Sequence, residues 1–170
     1  VCSNHQSMMD VLVLMALRSN FKWVSGVRFF KIPMLAVYMR LAGYIAADLK
    51  NPFSARGILD ECGAWIDQGV SVGLFPEGTR SERGAQGVYK TGAARLAIAT
   101  GASIVPIAVA SARCWPRKSF TFIAGTVAVS FGPPIAPSPG ESAADLIKKV
   151  SEWIEEEMRR IDPDAYPESE

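Results

Sequence analysis

Val70-Ser71-Val72-Gly73-Leu74-Phe75, followed without a break by Pro76-Glu77-Gly78-Thr79-Arg80-Ser81, is a short apolar run that delivers a polar cluster. The apolar part has the length of a buried strand, and the polar part leaves its C-terminal end. In open α/β sheets ligands bind at that edge. Upstream, Ala55, Ile58, Leu59, Cys62 and Ile66 recur at helical spacing before Gly69. Downstream, residues 90–100 carry helix-forming Ala and Leu and close on Gly101, a C-terminal cap, before a strand over 103–109. This alternation predicts an α/β fold, a mixed central sheet flanked by helices.

The rhythm extends in both directions. Ser7 and Asp10 form a capping-box-like start for a helix through Leu17, leaving His5 just outside its N-terminus. A strand is expected over 22–25, a helix from Pro33 to Leu41, and a strand over 44–47. Pro106 suggests an edge position or a bulge for its strand. Two strands, 120–123 and 126–131, are expected around Gly125, and Gly132-Pro133-Pro134 ends the sheet. Ser138-Pro139-Gly140-Glu141 is expected to open a C-terminal amphipathic helix with the apolar stripe Ile147, Val150, Ile154, Met158 and Ile161. Its outer face carries Glu155/Arg159 and Glu156/Arg160, read as a solvated, ion-paired surface.

Composition narrows the function classes. The 170 residues, 49% hydrophobic, fit a single domain over 1–170 with a real core. Lys+Arg 18 against Asp+Glu 17 leaves no basic excess, so nucleic acid is not an expected partner. Cys2, Cys62 and Cys114 are widely spaced, form no CxxC pair and have one histidine beside them, so they read as small buried hydrophobes and no metal is expected. Val11 to Leu17 is stopped by Arg18, and Ile104 to Ala110 contains Pro106, so neither run reaches the length of a membrane span. The chain starts at Val1 and runs at once into a strand, which reads as a chain lacking an upstream segment.

Two clusters carry the chemistry. In Asn4-His5-Gln6-Ser7-Met8-Met9-Asp10 the sole histidine stands five residues before a carboxylate. With Asp10 one turn inside a helix and His5 just before it, the carboxylate can fold back to one ring nitrogen and leave the other for substrate. His5 then acts as general base and Asp10 orients it. The first-turn N–H groups of that helix are candidate donors to an oxyanion. Ser7, His5 and Asp10 would alternatively make a lipid esterase, but no GxSxG elbow is present. In the second cluster Gly78 permits close backbone approach, Thr79 and Ser81 supply hydroxyls, and Arg80 offers a planar fork suited to phosphate. Taken separately, a structural histidine and an exposed surface turn remain open readings of the two clusters.

In this order, N-H-x4-D followed by F-P-E-G-T-R resembles the glycerophospholipid acyltransferase family, and within it the 1-acylglycerol-3-phosphate acyltransferases. Ile104-Val105-Pro106-Ile107 is similar to the family's fourth motif, and Tyr89-Lys90-Thr91-Gly92 to the segment after its third. The resemblance implies transfer of a fatty acyl group from acyl-CoA or acyl carrier protein to lysophosphatidic acid, giving phosphatidic acid, with no cofactor. It implies His5 and Asp10 as catalytic residues, and Glu77, Gly78, Thr79 and Arg80 ordering the acceptor, with Glu77 on a hydroxyl or on Arg80. Apolar residues around Pro106 would border the acyl chain. It also implies a membrane surface as partner, at the cytoplasmic face, the chain being peripheral or anchored through an upstream segment. Another lyso-lipid acceptor, or a catalytically silent lipid- or phosphate-binding module, are the alternatives. One departure stands out: Gly43-Tyr44-Ile45-Ala46-Ala47-Asp48-Leu49 has Leu where the family's second motif has Arg, with Lys50 next, and Arg28 carries the upstream charge at a shifted position.

Overall fold

The computed structural model describes residues 1–16, 21–48 and 54–166. Leu49 and Lys50, and the predicted helix end at Leu17, lie outside them. In chain order the elements are β1 (Cys2–Ser3), α1 (Met8–Ala16), β2 (Phe21–Gly26), a 3₁₀ turn (Val27–Lys31), α2 (Pro33–Leu41) and β3 (Ile45–Ala47). Then come α3 (Ser54–Asp67), β4 (Ser71–Gly73), α4 (Gly92–Thr100), β5 (Pro106–Ala110), β6 (Ala128–Phe131), α5 (Ala143–Ile161) and a last 3₁₀ turn (Pro163–Ala165).

The strands form two ladders, β3-β2-β4 and β1-β5-β6, parallel throughout except that β6 runs antiparallel to β5. Leu74, just past β4, joins them by bridging Cys2 in parallel: its N–H donates to Val1 O at 3.0 Å and its carbonyl accepts from Ser3 N at 3.1 Å. The spatial order is therefore β3-β2-β4-β1-β5-β6, the mixed sheet that the alternation predicts. Because β1 to β5 run in one direction, the segments that follow them emerge along one edge.

β5 is buried along its whole length, and the period of two sorts its side chains onto both faces. Ile107 and Val109 pack with Leu14 of α1 and Trp23 of β2. Ala108 and Ala110 face α4 and α5, where their small size lets Ala94, Val150 and Ile154 close on the strand. A third cluster of Ile45, Cys62, Val72 and Leu96 seats α3 and α4 on β3 and β4. Thus α3, α4 and α5 cover one face and α1 the other. Gly101 caps α4 in the left-handed region at φ 69°, and all three cysteines are free and buried. Among the described residues no helix is long and apolar enough to cross a membrane.

Four expectations need correction. Pro106 lies on a central strand, tolerated because it is the strand's first residue: Gly132 N donates to Pro106 O at 2.9 Å, and the return bond that proline cannot make falls where the β6 ladder ends. Residues 120–123 form no strand, since β6 already covers the free edge of β5, and Ile123 N instead closes a loop on Cys114 O at 2.8 Å. Ser138-Pro139-Gly140-Glu141 is a turn, with Glu141 N donating to Ser138 O, and α5 starts later on Ser142, whose hydroxyl accepts from Asp145 N at 3.1 Å. Finally, Glu155 is buried and not solvated, while on the outer face Glu157 pairs with Arg160 and Lys148 with Glu152. The Arg160 guanidinium lowers the Glu157 carboxyl to about 2.

Candidate active site

β1 is only two residues long, and a side chain takes over where its ladder stops. Asn4 Nδ2 donates to Val109 O at 3.0 Å and Asn4 Oδ1 accepts from Val109 N at 2.8 Å, so the carboxamide imitates a strand residue against β5. This clamp aims the next residue, His5, off the sheet edge. The chain then turns into α1 around the carboxylate of Asp10, which is fully buried. Asp10 Oδ2 accepts from Gln6 N and Ser7 N, each at 2.8 Å, and from His5 Nδ1 at 2.9 Å. Its Oδ1 accepts the hydroxyl of Ser111, just past the end of β5. A carboxylate that accepts from all four neighbours assigns the imidazole proton to Nδ1 and leaves Nε2 with a lone pair. One face of the ring stacks on Phe75, centroids 4.2 Å apart, and Phe75 stacks on Trp23 at 5.0 Å. Ring plane and tautomer are therefore both fixed. Among the described residues Nε2 makes no hydrogen bond, and the His5 side chain is partly exposed.

The polar cluster after β4 folds onto this histidine. Phe75-Pro76-Glu77-Gly78 is a turn in which Gly78 N donates to Phe75 O at 3.0 Å, and Gly78 takes φ 68°, a conformation that a Cβ would strain. The turn carries Glu77 inward. Glu77 Oε1 accepts from His5 N at 2.7 Å, Oε2 accepts the Ser81 hydroxyl, and Ser81 N donates back to His5 O at 2.8 Å. Both main-chain polar groups of His5 are thus held by the loop. Gly87 closes over the carboxylate so tightly that a Cβ there would stand 2.4 Å from Glu77 Oε2. Burial pushes the Glu77 carboxyl above the usual carboxylate range, against the hydrogen bonds from Ser81 and His5. Gly78 and Thr79 are exposed and Arg80 is half-buried, without an ion pair among the described residues.

The two clusters therefore meet, with corrections in detail. Glu77, expected on an acceptor hydroxyl or on Arg80, is instead bonded to the His5 backbone and to Ser81, a brace between the loops. Pro106 is not at the site: it is fully buried at the start of β5, in register with Cys2, beside Gly132 and Trp153, whereas His5 lies beyond the other end of β1. A cavity of about 260 Å³ near Val105 likewise opens by Val1, Val70 and Ser103, at the opposite edge of the sheet. Ser7 is buried, its hydroxyl donating to Trp115 O at 2.6 Å and accepting from Met9 N at 3.1 Å, a helix cap and not a nucleophile. The N–H groups of Gln6, Ser7 and Met9 are all spent, which removes them as oxyanion donors.

Sequence reasoning missed several supporting residues. Asn4 and Phe75 stand inside the quoted motifs and Ser81 beside them, but their roles as clamp on β5, stacking partner of His5 and donor to Glu77 depend on the fold. Ser111 gave no signal, since only the fold brings it to the dyad. The C-terminal end is also drawn in: Arg83 grips buried Asp162 at 2.9 and 2.6 Å, and Gln6 Nε2 donates to Tyr166 Oη at 2.9 Å. Among the described residues no group of three His, Cys, Asp or Glu side chains is placed to hold a metal ion.

Comparison with known proteins gives consistent relatives. A family model described as Acyltransferase matches residues 1–110. A 1-acyl-sn-glycerol-3-phosphate acyltransferase of Pseudomonas aeruginosa is 30% identical over 169 residues, covering 96% of this chain and 65% of that protein. A chloroplastic 1-acyl-sn-glycerol-3-phosphate acyltransferase of Arabidopsis thaliana is 39% identical over 105 residues, 62% of this chain and 30% of the relative. The crystal structure of the 1-acyl-sn-glycerophosphate (LPA) acyltransferase PlsC from Thermotoga maritima superposes with a TM-score of 0.78 at 25% identity, over 94% of this chain and 64% of that one. The chain spans less than two thirds of the length of each of these relatives.

Proposed function

The chain belongs to the acyltransferase family, and from that premise we propose that it transfers a fatty acyl group from a thioester to the free hydroxyl of lysophosphatidic acid, giving phosphatidic acid. The observation that carries the reading is the bond from His5 Nδ1 to buried Asp10, with Nε2 left open at the sheet edge and the Glu77–Arg80 loop fastened to the same residue. The names of the relatives support the acceptor and the reaction.

His5 Nε2 takes the proton of the acceptor hydroxyl as its oxygen attacks the thioester carbonyl, forming the C–O bond. Asp10 keeps the ring oriented and stabilises the imidazolium that results. The tetrahedral intermediate then collapses, the C–S bond breaks, and the imidazolium proton passes to the departing thiolate. No acyl-enzyme is needed, because a thioester is already electrophilic and the Ser7 hydroxyl is committed elsewhere. Arg80 offers its planar fork to the acceptor's phosphate, with Thr79 and the Gly78 backbone beside it. The donor carries its acyl group on coenzyme A or on acyl carrier protein, and the reaction takes place at the cytoplasmic membrane face.

Incubation of the purified protein with lysophosphatidic acid and labelled acyl-CoA, and separately with acyl carrier protein as donor, tests this. Labelled phosphatidic acid formed by the wild type and lost in His5→Ala is the expected result. Release of free fatty acid in place of phosphatidic acid would make the protein an esterase, and product formation undiminished in His5→Ala would remove the base.

A further inference from the structure

The residues on either side of His5 are both held from the far end of the chain. Asn4 Nδ2, besides its bond to β5, lies 3.5 Å from Met158 Sδ in the last turn of α5, and Gln6 Nε2 donates to Tyr166 Oη at 2.9 Å. Gln6 is buried and its Oε1 has no hydrogen-bond partner among the described residues, so the Tyr166 hydroxyl is what orients the carboxamide. Orientation matters at this position. Gln6 N is one of the donors on Asp10 Oδ2, the same oxygen that takes His5 Nδ1.

The loop that carries Arg80 is held by the same segment. Ser81, whose N–H donates to His5 O, fixes the residue next to Arg80. Beyond it the Arg83 fork grips both carboxylate oxygens of buried Asp162, at 2.9 and 2.6 Å. Gly84 then packs on the turn after Asp162 so closely that a Cβ would stand 2.3 Å from Ala165 O, and its φ of 80° is one that a side chain would strain. Arg80 has no ion pair of its own among the described residues, so these anchors set its place.

The anchoring segment has a rigid base. Ile154 and Met158 are buried in the core, and Asp162 N closes α5 on Met158 O at 2.9 Å. An oriented base is sensitive to its footing, since a displacement of about 1 Å costs on the order of 10²-fold in rate. We infer that residues 158–166 form a positioning strap across the site: Tyr166, through Gln6, holds the His5 turn, and Asp162, through Arg83, holds Arg80 where it meets the acceptor's phosphate. The inference rests on the proposed acyl transfer for the identity of the substrates, whereas the footing of His5 is read without turnover.

His5 is the sole histidine of the chain, so protein made with isotope-labelled histidine and a histidine-free purification tag gives the nuclear magnetic resonance spectrum of one imidazole. Tyr166→Phe gives up one neutral hydrogen bond and keeps the ring, so it should fold like the wild type by circular dichroism. It should nevertheless move the Nδ1–H signal of His5, speed exchange of that proton with water, and lower kcat about five- to tenfold with KM for both substrates little changed. Asp162→Asn keeps the shape and loses the charge that the guanidinium grips, so KM for the acceptor should rise about tenfold while KM for the donor stays near the wild-type value. Arg83→Lys loses the fork but leaves the Asp162 charge paired; it should act in the same direction, and it decides the point if Asp162→Asn does not fold. A strap that served stability alone would lower Tm and leave the His5 signal and the kinetic constants of the folded variants unchanged, which would overturn the inference. An unmoved His5 signal in folded Tyr166→Phe would overturn it even if kcat fell. A wild type without acyl transfer whose His5 signal moves in Tyr166→Phe would instead overturn the proposed function and leave the strap standing.

Discussion

His5 and Asp10 are five positions apart, but their alignment depends on Ser111, 101 positions beyond Asp10, and on Glu77, 72 beyond His5. Loss of the base should be nearly complete: His5→Ala is expected to lower turnover by roughly 10²–10⁴, with the fold retained by circular dichroism. Ser111→Ala should do less, since Asp10 keeps its other three donors. One hydrogen bond to a charged group is worth about 1.5–3 kcal/mol, so a fall in kcat of at least about tenfold, with KM little changed, marks Ser111 as a positioning residue. An equal rise in KM for both substrates would mean that the loop as a whole had shifted. Arg80 calls for a different measurement. Arg80→Lys keeps the charge and loses the fork, so KM for a phosphomonoester acceptor should rise while KM for the donor stays near its wild-type value.

Helix ends decide more here than helix interiors. The N-terminus of α1 is built twice over, by Asp10 on Gln6 N and Ser7 N and by Ser7 on Met9 N, and this double cap holds His5 at the start of the turn. α5 begins on Ser142, whose hydroxyl also donates to Asp145 Oδ2 at 2.6 Å. Ser142→Ala should therefore cost about 1 kcal/mol, a drop of about 2–4 °C in Tm for a chain of this size, with activity kept. An unchanged melting curve would mean that α5 is secured by its buried stripe alone. That stripe, Ile147, Val150, Ile154 and Met158, is where the helical period predicts it.

At the scale of the whole molecule, α5 closes one face of the sheet and brings Glu155 into the interior, and its C-terminal end is fastened to the site loops through Asp162. Burial raises the Glu155 carboxyl above its ordinary 4.5, and the nearby Glu77 raises it further. A carboxyl raised in this way binds its proton more tightly in the folded chain than in the unfolded one. Its contribution to stability is complete below the unfolded value and is lost as pH rises through the folded value. Glu155→Gln should accordingly raise Tm at neutral pH and differ progressively less from wild type as pH falls toward 4.5, a trend that thermal unfolding at several pH values will test. A Tm difference that stays constant with pH would show that the packing of the side chain and not its charge is what matters. Much of this architecture was legible in advance: α2 spans Pro33–Leu41 and α4 ends on Gly101 as the local signals require, because caps, proline and periodicity act within one or two turns of chain. The His5–Asp10 pair was legible for the same reason. What the tertiary structure alone decided is whatever depends on a distant partner: that Pro106 sits at the head of a central strand and away from the site, that residues 120–123 find no strand to join, that Glu155 is buried, and that Glu77 turns inward to brace His5. Each of these follows from which surfaces meet once the sheet has assembled, and a linear pattern carries the period of an element but not the identity of the neighbour it will face.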